Sequence, residues 1–172
     1  MLIAEQPTRW RGWTIEIIGT DVARSVVTAA REANFSQFQI QRGLGVAQMV
    51  TFFEETRTGW RANEALRGMV RFETHNLLDQ PPEPGRFDLV LCRNVLLYFD
   101  RATRERAFVR LASALAPDGL VMLGAGETTV GQTEALAPQK GNTGFHQLAV
   151  GRLPRPAMAA AAIGRVSPMF PR

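Results

Sequence analysis

Four polar residues lie at the ends of three predicted strands: Asp21, Asn76 and the pair Arg93 and Asn94. Ligands of open parallel sheets bind outside the carboxyl ends of the strands. The Asp21 carboxylate offers two acceptor oxygens to the vicinal hydroxyls of a ribose, and the Asn76 amide offers a donor and an acceptor to an adenine edge. Leu77 could pack on the adenine face, and Arg93 with Asn94 could hold a carboxylate or a charged amino-acid group. This set of residue types is suited to a nucleoside ligand.

Each of these positions also has a simpler structural explanation. Asp21 could be the N-cap of the helix that follows it, and Asn76 could be a turn residue. Arg93 could form an ion pair on the surface. The coincidence of all three positions at strand ends favours a binding site over three unrelated local roles.

The elements that position these residues alternate between strands and helices, which predicts an α/β fold with a mostly parallel sheet covered on both faces. Nearly continuous apolar runs predict strands at residues 14–21, 72–76, 87–92, 120–124 and 144–150. Helical spacing predicts helices at residues 22–33, 44–53 and 101–115. Two short strands are expected at 59–61 and 69–72, with a turn at 66–68 between them. Residues 1–151 are predicted to form one partial domain, and the Pro/Ala/Arg-rich residues 152–172 a tail or linker.

Composition limits the function classes. The 172 residues are 45% apolar and carry a formal net charge of +4, and Lys140 is the only lysine among scattered arginines. Clustered basic residues with interleaved aromatics are missing, so we expect no nucleic-acid partner. One cysteine (Cys92) and two histidines (His75 and His146) predict no metal centre and fit a reducing, cytoplasmic location. The sequence has no apolar run of the ~18 residues that a membrane span needs, so we expect no membrane insertion.

Several segments resemble one family of enzymes. Residues 92–99 are CRNVLLYF, and they follow an apolar strand. This segment resembles the CRNVLIYF signature of the CheR-type chemotaxis-receptor glutamate methyltransferases. Further segments resemble that family in the same order, at residues 19–21, 35–44, 69–79 and 117–128. The resemblance extends over about residues 10 to 150.

The resemblance implies a class I methyltransferase with a Rossmann-like sheet and a small β-subdomain within about residues 38–72. Such an enzyme transfers the methyl group of S-adenosylmethionine (SAM) to glutamate side chains of a chemoreceptor cytoplasmic domain or a related signalling protein. The implied cofactor-binding residues are Asp21, Asn76, Leu77, Cys92, Arg93 and Asn94. The implied catalytic candidates are Arg93 and Tyr98.

The glycine-rich loop that cradles the methionine part of SAM in this family has no counterpart before Gly19. The family's small N-terminal helical domain is not recognisable either. We therefore expect the sheet to be incomplete at its N-terminal side, the chain to be N-terminally truncated, and its affinity for SAM to be low on its own. An alternative is a non-catalytic signalling module derived from a CheR-type domain.

Overall fold

The computed structural model describes residues 1–149, which fall into two units, Met1–Pro81 and residues 82–149. The predicted tail at 152–172 and the last residue of the predicted strand at 144–150 lie outside the described residues. Both units combine helices and strands, so the predicted α/β class is confirmed. None of the helices in residues 1–149 has both the length and the apolar character that a membrane crossing requires.

The first unit contains a pair of parallel strands, β1 (Ile17–Asp21) and β5 (Val70–Thr74). Helix α1 (Arg24–Glu32) follows β1 and packs on the pair. The N-cap of α1 is Ala23, so the interpretation of Asp21 as the cap is wrong. The Asp21 carboxylate instead accepts a hydrogen bond from the backbone N–H of Ala23, at 2.8 Å.

A small antiparallel sheet lies between α1 and β5 in the chain, in the strand order β2–β4–β3. Its strands are β2 (Asn34–Phe35), β3 (Phe53–Thr56) and β4 (Gly59–Ala62). Three short helices accompany it, namely α2 (Gln37–Gln41), α3 (Val46–Phe52) and α4 (Glu64–Gly68).

Two predictions for this region are corrected. Residues 66–68 belong to α4 and do not form a turn, because the Asn63 side chain accepts a hydrogen bond from the N–H of Leu66 and caps a helix there. The strand expected at 69–72 belongs to β5 and pairs with β1, so the small sheet is built from strands earlier in the chain.

The second unit has a four-stranded sheet in the order β6–β7–β9–β8. Its strands are β6 (Phe87–Cys92), β7 (Leu115–Leu123), β8 (Leu136–Pro138) and β9 (Phe145–Leu148). Strand β7 pairs in parallel with β6, whereas the β7–β9 and β8–β9 pairs are antiparallel. A 3₁₀ turn at Leu96–Tyr98 and helix α5 (Arg101–Ala114) connect β6 to β7.

Helix α5 provides the core of the second unit. The predicted apolar face is confirmed, since Ala107, Phe108, Leu111 and Ala112 are buried. The helix begins at Asp100, whose side chain accepts a hydrogen bond from the N–H of Thr103 at 2.7 Å. The packing of this face on β6 and β7 positions the loops that follow the two strands.

The observed strand pairing and burial differ in two respects from a mostly parallel sheet covered on both faces. Within the described residues, β1 and β5 form one sheet and β6 to β9 form another, and antiparallel pairs complete the second. Leu89 and Leu91 of β6 are 50% and 64% exposed, although five of the six residues of this strand are apolar. An apolar run shows that two faces can be buried, but a neighbouring element must be present to cover each of them.

Candidate functional site

Asp21 and Asn76 share one edge of the β1–β5 pair. Asp21 is the last residue of β1 and lies opposite Thr74, the last residue of β5. The backbone N–H of His75 donates to the Asp21 carbonyl oxygen at 3.0 Å, which continues the pairing beyond the strands. Asn76 follows one residue later, so the structure brings the two predicted nucleoside-binding residues to the same carboxyl edge.

Asp21 retains acceptor capacity for a ligand. One carboxylate oxygen accepts the N–H of Ala23 at 2.8 Å, which fixes the side chain against the start of α1. A carboxylate has two oxygens with two lone pairs each, so the second oxygen can still accept hydrogen bonds from hydroxyl groups.

Asn76 is a turn residue, as the simpler interpretation proposed. Its side-chain oxygen accepts a hydrogen bond from the backbone N–H of Leu78 at 3.0 Å. Its backbone carbonyl oxygen accepts one from the N–H of Asp79 at 2.9 Å. The turn occupies a lone pair of the amide oxygen, and the amide NH₂ group is a pure donor. Leu77 is half-buried in the same turn and can offer an apolar surface.

The other predicted residues follow strand β6 in the second unit. Cys92 ends the strand and is buried, whereas Arg93 and Asn94 are exposed. Burial, reinforced by the negative charge of Glu127, raises the pKa of the Cys92 thiol to about 12. The thiol is therefore neutral and behaves as a small apolar side chain, not as a nucleophile.

The backbone after Arg93 is held by Glu127. Asn94 has a φ of 58°, a left-handed conformation that is uncommon for a residue other than glycine. The Glu127 carboxylate accepts the backbone N–H groups of Asn94, Val95 and Leu96 at 3.0, 2.9 and 2.8 Å. It also accepts the N–H of Gly124, the residue after β7, at 2.7 Å.

Arg104 of α5 holds the carbonyl groups of the same loop. Its guanidinium donates to the carbonyl oxygen of Leu96 at 3.1 Å, to that of Phe99 at 2.8 Å and to the side-chain oxygen of Gln132 at 3.2 Å. Tyr98 lies between these anchors, and its side chain is 83% exposed. The loop therefore has a fixed backbone and side chains that reach solvent.

Sequence reasoning did not identify Glu127 or Arg104 as site residues. For Glu127 a local signal existed: it lies three residues after Gly124 and reaches back to that N–H, the same spacing that a capping box uses. For Arg104 no local signal distinguishes it from the other arginines of α5. Both side chains act on residues that only the folded chain brings near.

The predicted site residues divide between the two units. Those of the first unit are Asp21, Asn76 and Leu77, and those of the second unit are Cys92, Arg93, Asn94 and Tyr98. Each set lies at or just beyond the carboxyl end of a parallel strand pair.

Comparison with known proteins identifies the family. Residues 1–145 match the family model described as CheR methyltransferase, SAM binding domain. Chemotaxis protein methyltransferase 1 of Pseudomonas aeruginosa is 35% identical over 114 residues, which are 66% of this chain and 42% of that protein. A chemotaxis protein methyltransferase of Vibrio parahaemolyticus is 31% identical over 133 residues, which are 77% of this chain and 48% of that protein.

Among solved structures, a TehB-like SAM-dependent methyltransferase from Corynebacterium glutamicum aligns with a TM-score of 0.40 and 21% identity, over 64% of this chain and 44% of that one. The chain spans less than half the length of the two chemotaxis methyltransferases. The family match includes all the predicted site residues, from Asp21 to Tyr98. The chain belongs to the CheR methyltransferase family, in the region of its SAM-binding domain.

Proposed function

We propose that this chain binds SAM and serves methyl transfer to glutamate side chains of a chemoreceptor cytoplasmic domain or a related signalling protein, in the cytoplasm. The observation that carries the proposal is the family match over residues 1–145. It is supported by the placement of acceptor and donor groups at strand ends, where α/β sheets bind nucleotide ligands.

The first unit would bind the adenosine part of SAM. The second carboxylate oxygen of Asp21 would accept from the ribose hydroxyls, since the first is held by Ala23. The amide NH₂ of Asn76 would donate to an adenine nitrogen, because its oxygen is used within the turn. Leu77 would pack on the adenine ring. These donor and acceptor types fit adenosine without rearrangement of the two turns.

The second unit would position the groups that react. When bound, SAM supplies a methyl group activated by its sulfonium charge. A glutamate acceptor is ionised near neutral pH, so the protein needs to position this carboxylate more than to remove a proton from it. The exposed Arg93 guanidinium is suited to hold a carboxylate through two parallel hydrogen bonds. Asn94 and Tyr98 would contribute polar contacts, and the neutral Cys92 thiol would be an apolar contact of the cofactor.

The test is calorimetric titration of the 172-residue chain with SAM and with its demethylated product, S-adenosylhomocysteine. Because weak binding is expected, the ligand concentration is taken to about 1 mM or above, where a binding free energy of only ~4 kcal/mol is detectable. We expect saturable binding that Asp21→Ala weakens. Transfer of a labelled methyl group to a receptor cytoplasmic domain is then measured, with an acceptor whose glutamates are changed to glutamine as the control.

Absence of saturable binding would contradict the proposal for this chain. If the receptor domain were nevertheless retained by the immobilised chain without SAM, the alternative of a non-catalytic signalling module would replace it. Binding of SAM without any methyl transfer would support a cofactor-binding domain and contradict the assignment of catalysis to this chain.

A further inference from the structure

The Glu127 carboxylate collects four backbone N–H groups from two loops. Three come from consecutive residues after β6, namely Asn94, Val95 and Leu96, and the fourth comes from Gly124 after β7. The donor–acceptor distances lie between 2.7 and 3.0 Å, which is the range of charge-assisted hydrogen bonds. We call these five residues the Glu127 clamp.

We propose that Glu127 is a positioning residue for methyl transfer, which fixes the backbone of residues 94–96 and thereby the directions of Arg93, Asn94 and Tyr98. The proposal rests on the function proposed above and deepens it. Glu127 makes no contact with a substrate in this role, and its effect passes through the loop that carries the exposed side chains.

Only an ionised carboxylate can hold this loop in the observed way. Four N–H donors require four acceptor lone pairs, and a carboxylate provides them on two oxygens. Oε1 accepts from Val95 and Leu96, and Oε2 accepts from Asn94 and Gly124. A glutamine at this position has one acceptor oxygen, and its NH₂ group would face two N–H donors.

Gly124 gives an independent indication that the clamp is closely built. A Cβ atom at this position would lie 2.6 Å from the Asn94 side-chain oxygen, 2.8 Å from Glu127 Oε2 and 2.9 Å from the Asn94 nitrogen. Real Cβ atoms do not occur at such distances, so any larger residue would push the two loops apart. The space around Gly124 therefore requires glycine wherever the clamp is formed.

The clamp also supports the left-handed backbone of Asn94. A non-glycine residue in this region costs roughly 1 kcal/mol or more, and it persists where the surroundings hold it in place. Glu127 and Arg104 supply this support, Glu127 by accepting N–H groups and Arg104 by donating to carbonyl oxygens. Such support is a known requirement of preorganised sites.

The charge of Glu127 is maintained by the same contacts. Burial acts to raise the pKa of this carboxyl group, but the N–H donors of Gly124, Asn94, Leu96 and Val95 outweigh burial and hold the pKa below its usual value. The clamp is therefore ionised at neutral pH. It should open as the pH falls through this lowered pKa.

The test compares the unmodified chain with Glu127→Gln and with Glu105→Gln, a matched control on the exposed face of α5. Hydrogen exchange of the peptide that contains residues 93–99 reports on the loop, and titration with S-adenosylhomocysteine reports on the site. We expect Glu127→Gln to accelerate exchange in this peptide about tenfold and to weaken ligand binding at least about tenfold, a factor equal to ~1.4 kcal/mol. The free energy of unfolding in urea should fall, relative to the control, by no more than this ~1.4 kcal/mol.

Two further measurements keep the test decisive if Glu127→Gln does not fold. Gly124→Ala retains the carboxylate but separates the loops, and we expect the same loss of protection and affinity. The unmodified chain should also show faster loop exchange, relative to α5, as the pH is lowered through the pKa of Glu127.

The outcomes separate this proposal from the proposed function. Unchanged loop exchange in Glu127→Gln and Gly124→Ala would overturn the clamp. Faster exchange with unchanged ligand affinity would show a structural contact only and would also overturn the positioning role. If the unmodified chain bound no ligand, the proposed function would fail and the positioning role with it, whatever the exchange data showed.

Discussion

The substitution Asp21→Asn tests the assignment of the ribose-binding residue with little change in structure. In the folded chain one oxygen of Asp21 accepts the N–H of Ala23 at 2.8 Å. An asparagine has nearly the same shape, and its single oxygen can keep this hydrogen bond. The position of the second carboxylate oxygen is then taken by an NH₂ group, which cannot accept hydrogen bonds from hydroxyl groups.

The expected loss follows from the number of acceptors removed. A hydrogen bond to a charged group contributes about 1.5–3 kcal/mol, and at least one such bond to the ribose is lost. The affinity for S-adenosylhomocysteine should therefore fall by roughly 10- to 150-fold. Because the Ala23 contact is kept, the free energy of unfolding should change by less than ~0.5 kcal/mol.

Calorimetric titration measures the affinity, and urea denaturation measures the stability. Asp118→Asn is the matched control, since it removes the same charge from an exposed position in β7. Asp21→Ala removes the Ala23 contact as well and should lower both affinity and stability. An affinity of Asp21→Asn within twofold of the unmodified chain would refute the ribose assignment.

Three further predictions concern the second unit. Phe108→Ala should destabilise this unit by about 3–5 kcal/mol in urea denaturation, because Phe108 is fully buried, whereas Val109→Ala at a 43% exposed neighbour should cost far less. An equal loss of unfolding free energy in the two variants would contradict the assigned core. His146 is buried against the Thr129 hydroxyl at 3.0 Å, and burial lowers its pKa below the ordinary histidine value of 6.5. The unfolded chain should therefore take up this proton at a higher pH than the folded chain, so the urea midpoint should fall as the pH is lowered below about 6.5; a midpoint independent of pH would contradict this. Cys92 should not react with an aromatic disulfide reagent at about pH 8 until the chain is unfolded, and rapid reaction of the folded chain would contradict its burial.

Local sequence patterns predicted the elements that depend on neighbouring residues. The apolar spacing of α5 was sufficient to predict the buried side of the helix, including Phe108 and Leu111. Asp21 and Cys92 were correctly placed at strand ends, because apolar β-rich runs stop at these residues. The Asn76 turn also follows from a side chain that bonds two residues ahead.

Elements that depend on a capping residue or on a distant strand were predicted less well. Residues 66–68 look like a turn by composition but are helical, because Asn63 caps them. The short strand β8 has no pattern of its own, and it forms only by pairing with β9. Residues 69–72 were expected to form a short strand next to 59–61, whereas residues 70–72 belong to β5, whose register is set by β1, some fifty positions earlier in the chain.

For the candidate site, the sequence by itself determined the chemical types at the strand ends and the family. The tertiary structure decided which atoms are available: one Asp21 oxygen is held by Ala23, and the Asn76 oxygen is used in its turn. It also decided that Glu127 holds the loop after Arg93, across more than thirty positions of sequence. Propensity and periodicity act over a few residues, whereas hydrogen-bond partners and exposure depend on which distant segments the fold brings together.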